Sequence, residues 1–450
     1  MVEEPQKEID ENLEENNELK KLNLLGSLVP ARLIEYHLVK HQDVSLHAFK
    51  EEYEVAVLFA DISGFSNLAE KLTKELANAA NAAENLSSYI GQSLELMVQA
   101  VCSKGGDVIK FAGDAILAIF PTSKFNNSLE QATLCCTQVA LRLLELELRA
   151  GGVQLSVHCG VGAGSVIAYH VGGLHGRWEY VITGDPVDQI GSAEPEAEAG
   201  EIVIAERAYK LVASSCVGVQ LPSGNFRVER LRDIPQSLDQ PLIFSSFVSL
   251  SENTDLHRLQ TVLRSYVPRP VLQAIDSGQS LWFSELRICS TLFCRLKGLV
   301  FDSEESLPVI QKAVLTVQEQ IYAYEGTLCR FIVDDKGAGL LLAFGLPPYM
   351  HENDPLRATK SALEIHRSIQ ALSREENTPQ LTASIGVTSG RVFCGTSGGS
   401  IRCEYTLHGT LVNLAARFMV AADDGVLCGE ATYLKAKDLV AFEPHARSFW

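Results

Sequence analysis

The chain has 450 residues, which predicts two or three domains because a domain commonly holds about 100–200 residues. Hydrophobic residues make up 46% and charged residues 21%, so the composition excludes a fibrous or wholly disordered protein. The 38 Lys and Arg against 56 Asp and Glu give a net charge of -18, and no Lys/Arg-rich run is present. This charge argues against non-specific binding to nucleic acid or to an anionic membrane.

The sequence predicts a cytoplasmic protein with no membrane span. The longest apolar candidate, Gly337 to Met350, is shorter than the roughly 18 residues that a membrane helix needs. The opening Val2-Glu3-Glu4-Pro5 lacks the basic start and apolar core of a signal peptide. The 11 cysteines are therefore expected to stay reduced as buried small hydrophobic residues, with a zinc or redox role as the alternative.

An internal repeat organises the chain from Leu28 onward. Four segments of the first half return in the same order in the second half, matched by pattern more than by identity. The pairs are Leu28–Ile34 with Tyr266–Leu272, Val55–Phe65 with Cys289–Leu299, Lys110–Asp114 with Arg330–Asp334, and Glu179–Gly184 with Glu404–Gly409. Amphipathic runs between these segments predict helices, so each copy is predicted to be a mixed α/β domain.

The repeat and the composition together set the predicted domains. Residues 1–27 are rich in Glu, Asn and Lys and are predicted to be an acidic mobile tail. A first domain with an N-terminal lead-in covers 28–220, a proline-containing linker covers 221–265, and a second domain covers 266–450.

Two aspartates of the first copy indicate metal chemistry. Asp61 ends the first strand and is followed by the Gly-containing turn Ile62–Phe65, which suits a triphosphate carrying a hard cation. Asp114 lies in a tight turn between two apolar strands and would stand beside Asp61 if those strands are neighbours. The pair predicts a two-metal site, although either aspartate alone could serve only its own turn.

The second copy lacks this pair, since Arg295 occupies the position that matches Asp61. It offers Asn413 and Arg417 instead, four residues apart on one predicted helix, so both side chains share a face. An arginine suits a phosphoryl group whose charge rises in a transition state. The alternative is a helix cap at Asn413 and a solvated Arg417.

At these residues the chain resembles the class III nucleotidyl cyclases, and its tandem arrangement is similar to the bicarbonate-responsive soluble adenylyl cyclases. The resemblance implies an α/β (α+β) fold with two ferredoxin-like βαββαβ domains. The two domains would form an intramolecular pseudo-heterodimer with one catalytic and one degenerate interface site. A monomer would then be complete without a second chain.

The resemblance also implies roles for individual residues. Two divalent cations, Mg²⁺ or Mn²⁺ with Ca²⁺ as an alternative, would be held by Asp61, Asp114 and the carbonyl of Ile62. The amides of Ser63, Gly64 and Phe65 would hold the terminal phosphates of the nucleotide. Asn413 would orient the ribose, and Arg417 would stabilise charge at the α-phosphate.

Two further positions bear on the choice of base. Adenylyl members of the family pair a Lys with a Thr or Asp there, whereas guanylyl members carry Glu and Cys. This chain has Arg330 and Thr406. The resemblance therefore implies ATP in preference to GTP, although a forked arginine is not a neutral exchange for lysine.

The degenerate site is where soluble adenylyl cyclases are implied to bind bicarbonate through a Lys and an Arg. Lys110 matches the Lys, but Gly191 stands where the Arg is expected, so we expect a weak or absent response to bicarbonate. His158 occupies a position where the family can carry a phosphate-facing Lys. It could serve partly in that role or be a packed core histidine.

The sequence thus predicts an adenylyl cyclase that converts ATP to cyclic AMP and pyrophosphate. The alternatives are a guanylyl cyclase and a catalytically weak, nucleotide- or anion-sensing pseudo-cyclase.

Overall fold

Two large sheets with the same core connectivity form the framework of the protein. The computed structural model describes residues 18–40, 46–64, 79–232, 255–278, 284–301, 305–334, 337–375 and 378–445. Among the helices in these ranges, none combines the length and apolar composition that crossing a membrane requires.

The first half starts with two helices and continues into a mainly antiparallel sheet. Its strand order is β2-β3-β1-β4-β6-β8-β7, with β5 paired to β4. The helices are α1 (18–27), α2 (Ala31–Lys40), α3 (Ala79–Cys102), α4 (Leu129–Leu144), α5 (Asp185–Ala193) and α6 (Glu206–Val212). The strands are β1 (Phe49–Ser63), β2 (Asp107–Ala112), β3 (Ala115–Pro121), β4 (Ser156–Gly172), β5 (Trp178–Thr183), β6 (Ile202–Ile204), β7 (Cys216–Gln220) and β8 (Phe226–Leu231).

The second half repeats this arrangement with strand order β10-β11-β9-β12-β13 and β14 paired to β12. Its helices are α7 (Leu256–Ser265), α8 (Arg269–Asp276), α9 (Ser306–Ala323), α10 (Asp354–Leu372), α11 (Thr410–Ala422) and α12 (Glu430–Ala436). Its strands are β9 (Ser284–Lys297), β10 (Thr327–Asp334), β11 (Gly337–Phe344), β12 (Thr382–Gly398), β13 (Cys403–His408) and β14 (Val426–Cys428). Each half therefore contains the predicted βαββαβ unit.

The strand β1 shows how the sequence specifies the packing of the two halves. Its residues alternate between opposite faces of the sheet, because side chains on a strand have a period of two. Ala56 and Leu58 pack into the core of the first half. Val55 and Val57 face a second hydrophobic cluster that also contains Leu341 of the second half. The two halves thus share one buried apolar core.

The predicted domain boundaries need three corrections. Residues 18–27 are helical rather than part of a mobile tail, with Leu22 and Leu25 buried in the shared core. The first sheet continues beyond residue 220, because β8 pairs with both β6 and β7. The end of the predicted linker forms α7, whose Leu259 and Leu263 enter the same core. In the two helices, leucines at helical spacing among polar residues outweigh the overall polar composition.

Candidate functional site

Asp61 is placed by the register of two long strands. The strand β1 runs antiparallel to β4, and this register sets Asp61 opposite His158. The Asp61 side chain is 29% exposed, so it lies in a cleft that solvent can reach. Gly64 follows the end of β1 with a φ of +103°, a conformation that favours glycine and turns the chain away. Phe65, the last of the predicted phosphate-binding residues, lies outside the described residues.

Asp114 occupies the two-residue turn between β2 and β3, beside Gly113 with its φ of +77°. The strand β3 is the neighbour of β1, and Ile116 pairs with Ala60, so this turn lies beside the end of β1. Burial, followed by the charge of Asp61, raises the pKa of Asp114 to about 6. The strand order therefore brings the two predicted carboxylates close enough to repel each other.

The negative charge of Asp61 is only partly compensated by its neighbours. Its pKa is raised chiefly by burial, while the His158 charge lowers it and the Glu194 charge raises it. Two half-buried carboxylates that repel each other make an environment in which a divalent cation is favourable. The residues present therefore fit the metal ions that the sequence analysis expected.

His158 lies in this cleft rather than in an apolar core. Its Nε2 atom is 2.9 Å from Oε1 of Glu194 and 3.7 Å from Oδ2 of Asp61, and its Nδ1 atom is 2.9 Å from Oγ of Ser63. The hydrogen bond to Glu194, followed by the charges of Asp61 and Glu194, raises the pKa of His158 against the opposing effect of burial.

Glu194 was missed by the sequence analysis. The potential ligand atoms of Asp61, His158 and Glu194 all lie within 4.8 Å of one another. Glu194 follows the end of α5, and its backbone packs against Gly160 so closely that a Cβ atom at Gly160 would meet the Cβ of Glu194 at 2.8 Å. That glycine, two residues beyond His158 on the same face of β4, was the available signal.

The two predicted base-binding and regulatory cations, Arg330 and Lys110, reach across the boundary between the halves. Arg330 Nη1 donates a hydrogen bond of 2.8 Å to the carbonyl of Phe111. The N–H of Phe111 donates to Oε2 of Glu404 at 3.1 Å, and Lys110 Nζ lies 3.5 Å from Oε1 of Glu404. The second half therefore holds the backbone of β2 at the residue next to Lys110.

A repeated Arg-x-Glu-Tyr sequence supplies more of this boundary and was not recognised from the sequence. Arg402 donates from Nε to the carbonyl of Val108 at 3.0 Å and from Nη2 to that of Ile109 at 3.2 Å. Its first-half counterpart Arg177 pairs instead with Glu179 at 2.7 Å. Both arginines line a cavity of about 30 Å³ between the halves, together with Lys110, Glu179 and Glu404.

The second base-related residue, Thr406, lies buried on β13 at 5% exposure. His408, on the same strand, is hydrogen-bonded to Ser397 Oγ at 2.7 Å. Burial, followed by the nearby charge of Arg330, lowers the pKa of His408 to about 4. At neutral pH this part of the boundary therefore has a neutral histidine near the half-buried guanidinium of Arg330.

Asn413 and Arg417 lie on α11 of the second half, and both are exposed. Their spacing of four residues puts them on one face of the helix. The matching helix of the first half, α5, has Asp188 and Ser192 at these positions and Gly191 where a second cation was expected. The structure thus separates the carboxylates of the first half from the amide and guanidinium of the second.

The chain is similar to known nucleotide cyclases over most of its length. The chain matches the adenylate and guanylate cyclase catalytic domain family over residues 48–233 and 332–444. It is 27% identical to human adenylate cyclase type 10 over 86% of the chain and 25% of that protein, and 24% identical to adenylate cyclase 1 of Rhizobium meliloti over 59% of the chain and 42% of that protein. The chain thus spans about a quarter of the length of the type 10 relatives.

Among solved structures, the fold is similar to a class III adenylyl cyclase-like ATP-binding protein from Pseudomonas aeruginosa. The two share a TM-score of 0.57 and 13% identity, over 93% of each chain. This likeness extends across both halves and supports the same fold for the whole described structure.

Proposed function

Because the chain belongs to the adenylate and guanylate cyclase catalytic domain family, we propose that it converts ATP into cyclic AMP and pyrophosphate. In this reaction the ribose 3′-oxygen forms a bond to the α-phosphorus, and the bond from that phosphorus to the bridging oxygen of pyrophosphate breaks. The observation that carries the proposal is the pair of mutually repelling carboxylates, Asp61 and Asp114, at the end of the first sheet.

Asp61, Asp114 and the carbonyl of Ile62 would hold divalent cations. Bound cations would lower the pKa of the ribose 3′-hydroxyl and neutralise charge on the departing pyrophosphate. The amides of Ser63 and Gly64, and that of Phe65 by extension, would hold phosphate oxygens. Gly64 supports this role, because its positive φ lets the backbone turn where a side chain would be strained.

The second half would supply the ribose and α-phosphate contacts. Asn413 would hold the ribose in the orientation needed for in-line attack, and Arg417 would stabilise charge that rises at the α-phosphate. Both side chains are exposed and are therefore available to a ligand.

Adenine would be read by Arg330 and Thr406. One guanidinium nitrogen of Arg330 already donates to the carbonyl of Phe111, which fixes the direction of the side chain and leaves its other donors for the base. His408, whose pKa burial and then the charge of Arg330 lower to about 4, is neutral at neutral pH and adds no charge beside Arg330. These features favour ATP over GTP.

Bicarbonate would have little effect on this protein. Lys110 is engaged by Glu404, and Gly191 offers no side chain to make the second cationic contact. The shared core of the two halves supports an enzyme that acts as a monomer, and we expect it to act in the cytoplasm.

The test is to measure cyclic nucleotide production by purified protein with ATP or GTP, in Mg²⁺ and in Mn²⁺, with and without bicarbonate at constant pH. We expect cyclic AMP as the product and a fall in its rate of formation of about 100-fold or more in Asp61→Ala. The control Asp438→Ala, which changes an exposed aspartate after α12, should leave the rate unchanged. Cyclic GMP as the main product would favour the guanylyl cyclase alternative. Binding of ATP without any product would favour the pseudo-cyclase.

A further inference from the structure

The cleft at the end of β1 contains more donor atoms than the two aspartates account for. Asp61, His158 and Glu194 converge from β1, from β4 and from the turn after α5. Their side chains are 29%, 13% and 25% exposed, so the group is shielded but remains open to an ion from solvent.

The distances between these donors suit a single ion. Metal bonds to nitrogen or oxygen of about 2.0–2.2 Å leave neighbouring donors roughly 3 to 3.5 Å apart in a tetrahedral site. His158 Nε2 is 2.9 Å from a Glu194 oxygen and 3.7 Å from an Asp61 oxygen. All three donor atoms lie within 4.8 Å of one another, so side-chain rotations would bring them around one ion.

The orientation of the His158 ring is fixed by a second contact. Its Nδ1 atom lies 2.9 Å from Oγ of Ser63, which can accept the Nδ1 proton, so that a metal ion could take the place of the proton that Nε2 shares with Glu194. Metal-binding histidines are commonly oriented by such a hydrogen bond on the other ring nitrogen. Gly160 adds a second device, because the absence of a side chain there lets the Glu194 backbone approach β4.

The second half carries no such donor set at the matching positions. Arg295 on β9 pairs with Ser384 on β12 in the register that Asp61 and His158 have in the first half, and Met419 occupies the place of Glu194. The imidazole and the extra carboxylate are thus confined to the half that contains Asp61.

We propose that Asp61, His158 and Glu194 form a mixed nitrogen and oxygen site that binds one transition-metal dication, of the Mn²⁺, Co²⁺ or Zn²⁺ class, in preference to Mg²⁺ and without nucleotide. An imidazole ligand favours these ions, whereas Mg²⁺ prefers oxygen ligands and retains its water. The inference deepens the proposed function, because Asp61 belongs to both sites.

The experiment is a titration of metal-free protein with Co²⁺ in the absence of nucleotide, followed by visible absorbance and calorimetry. We expect one equivalent to bind, and His158→Ala and Glu194→Gln each to weaken binding by about 10- to 100-fold. The exposed controls His175→Ala and Glu198→Gln should bind as the unchanged protein does. Excess Mg²⁺ should displace Co²⁺ only at concentrations at least about 100-fold higher.

A readout on the unchanged protein guards against variants that fail to fold. Bound Co²⁺ should broaden the imidazole NMR signals of His158 and leave those of His175 sharp. Unchanged Co²⁺ affinity in both variants, or a His158 signal that does not respond, would overturn the proposal. Because no nucleotide is present, loss of Co²⁺ binding in these variants supports the metal site even in a protein that makes no cyclic AMP, and the absence of product counts against the proposed function alone.

Discussion

The ends of the two central strands carry different chemistry on the same framework. In the first half, Asp61 on β1 pairs with His158 on β4. At the same register in the second half, Arg295 pairs with Ser384. The apolar residues that build the two sheets are retained as a pattern, while the polar residues at the strand ends have diverged. The framework therefore positions functional groups without deciding which groups they are.

At the boundary between the halves the Arg-x-Glu-Tyr sequence is retained in both copies, and Arg177 and Arg402 each donate to the carbonyl of the next residue, but the two glutamates have different charged neighbours. Burial alone would raise the pKa of Glu404, but Lys110, Arg402 and Arg330 together hold it below its ordinary value. Burial raises the pKa of Glu179, and Arg177 and Lys110 offset this only in part. Glu179 therefore depends more heavily on its one close arginine.

The largest expected effect comes from removing Asp114, whose partner carboxylate Asp61 is replaced by Arg295 in the second half. Asp114→Asn should lower cyclic AMP production by about 10³-fold, because a metal ligand is lost. The same change should raise the melting temperature in EDTA, because it removes a carboxylate whose charge is disfavoured first by burial and then by repulsion from Asp61. Parallel activity assays and thermal melts test both effects. A variant that loses activity and also melts at lower temperature would contradict the explanation.

The second prediction compares equivalent positions on the two matching helices. Arg417→Ala should lower kcat by about 10²–10³-fold with little change in stability, since the side chain is exposed and would act on transition-state charge. Ser192→Ala, at the matching position of α5, should leave kcat nearly unchanged. Steady-state kinetics on the two variants distinguish the halves, and equal losses in both would remove the asymmetry that we infer.

The third prediction concerns the two buried arginines. Arg177→Ala should lower the free energy of unfolding by about 3 kcal/mol, because it leaves the carboxylate of Glu179 buried without its close partner. Adding Glu179→Gln should restore a large part of the loss. Urea unfolding of the single and double variants measures this coupling.

The matched experiment uses the second copy of the same sequence. Arg402→Ala should also destabilise the protein, but Glu404→Gln should not rescue it, because the main loss is of hydrogen bonds to the carbonyls of β2. Rescue of equal size in both copies would show that the two arginines stabilise the protein in the same way.

The smallest expected effect comes from a substitution that introduces the missing cation at position 191. Gly191→Arg introduces on α5 the cation that the resemblance implies for the bicarbonate site and should give a bicarbonate stimulation of a few-fold at constant pH. The same change should slightly raise stability, because a glycine inside a helix costs about 1 kcal/mol. Gly191→Ala is the control for the helix effect, and stimulation of that variant would contradict the role of the charge.

Much of the fold follows from local patterns in the sequence. The repeated strands and turns are visible because each depends on neighbouring residues, and the position of Asp114 beside Asp61 follows from a tight turn and one strand pairing. Glu194 could not be found in this way. Its place in the cleft depends on how the end of α5 packs on Gly160, which is a tertiary contact.

The helix at 18–27 was missed for a different reason. The composition averaged over residues 1–27 is dominated by Glu, Asn and Lys and indicated disorder, although the helix itself contains four leucines, of which Leu22 and Leu25 are fully buried. The role of Arg402 was likewise hidden, since an arginine in a sequence gives no sign that its partners will be backbone carbonyls of a distant strand.

The shared apolar core joins two repeats that are encoded in a single chain. In an assembly of two identical subunits, every inherited change appears at both sites at once, so a carboxylate lost from one is lost from the other. Here each copy mutates alone, and Arg295 could arise without cost to Asp61. Because the halves are covalently linked, each site can change independently in evolution while both remain joined by the same core.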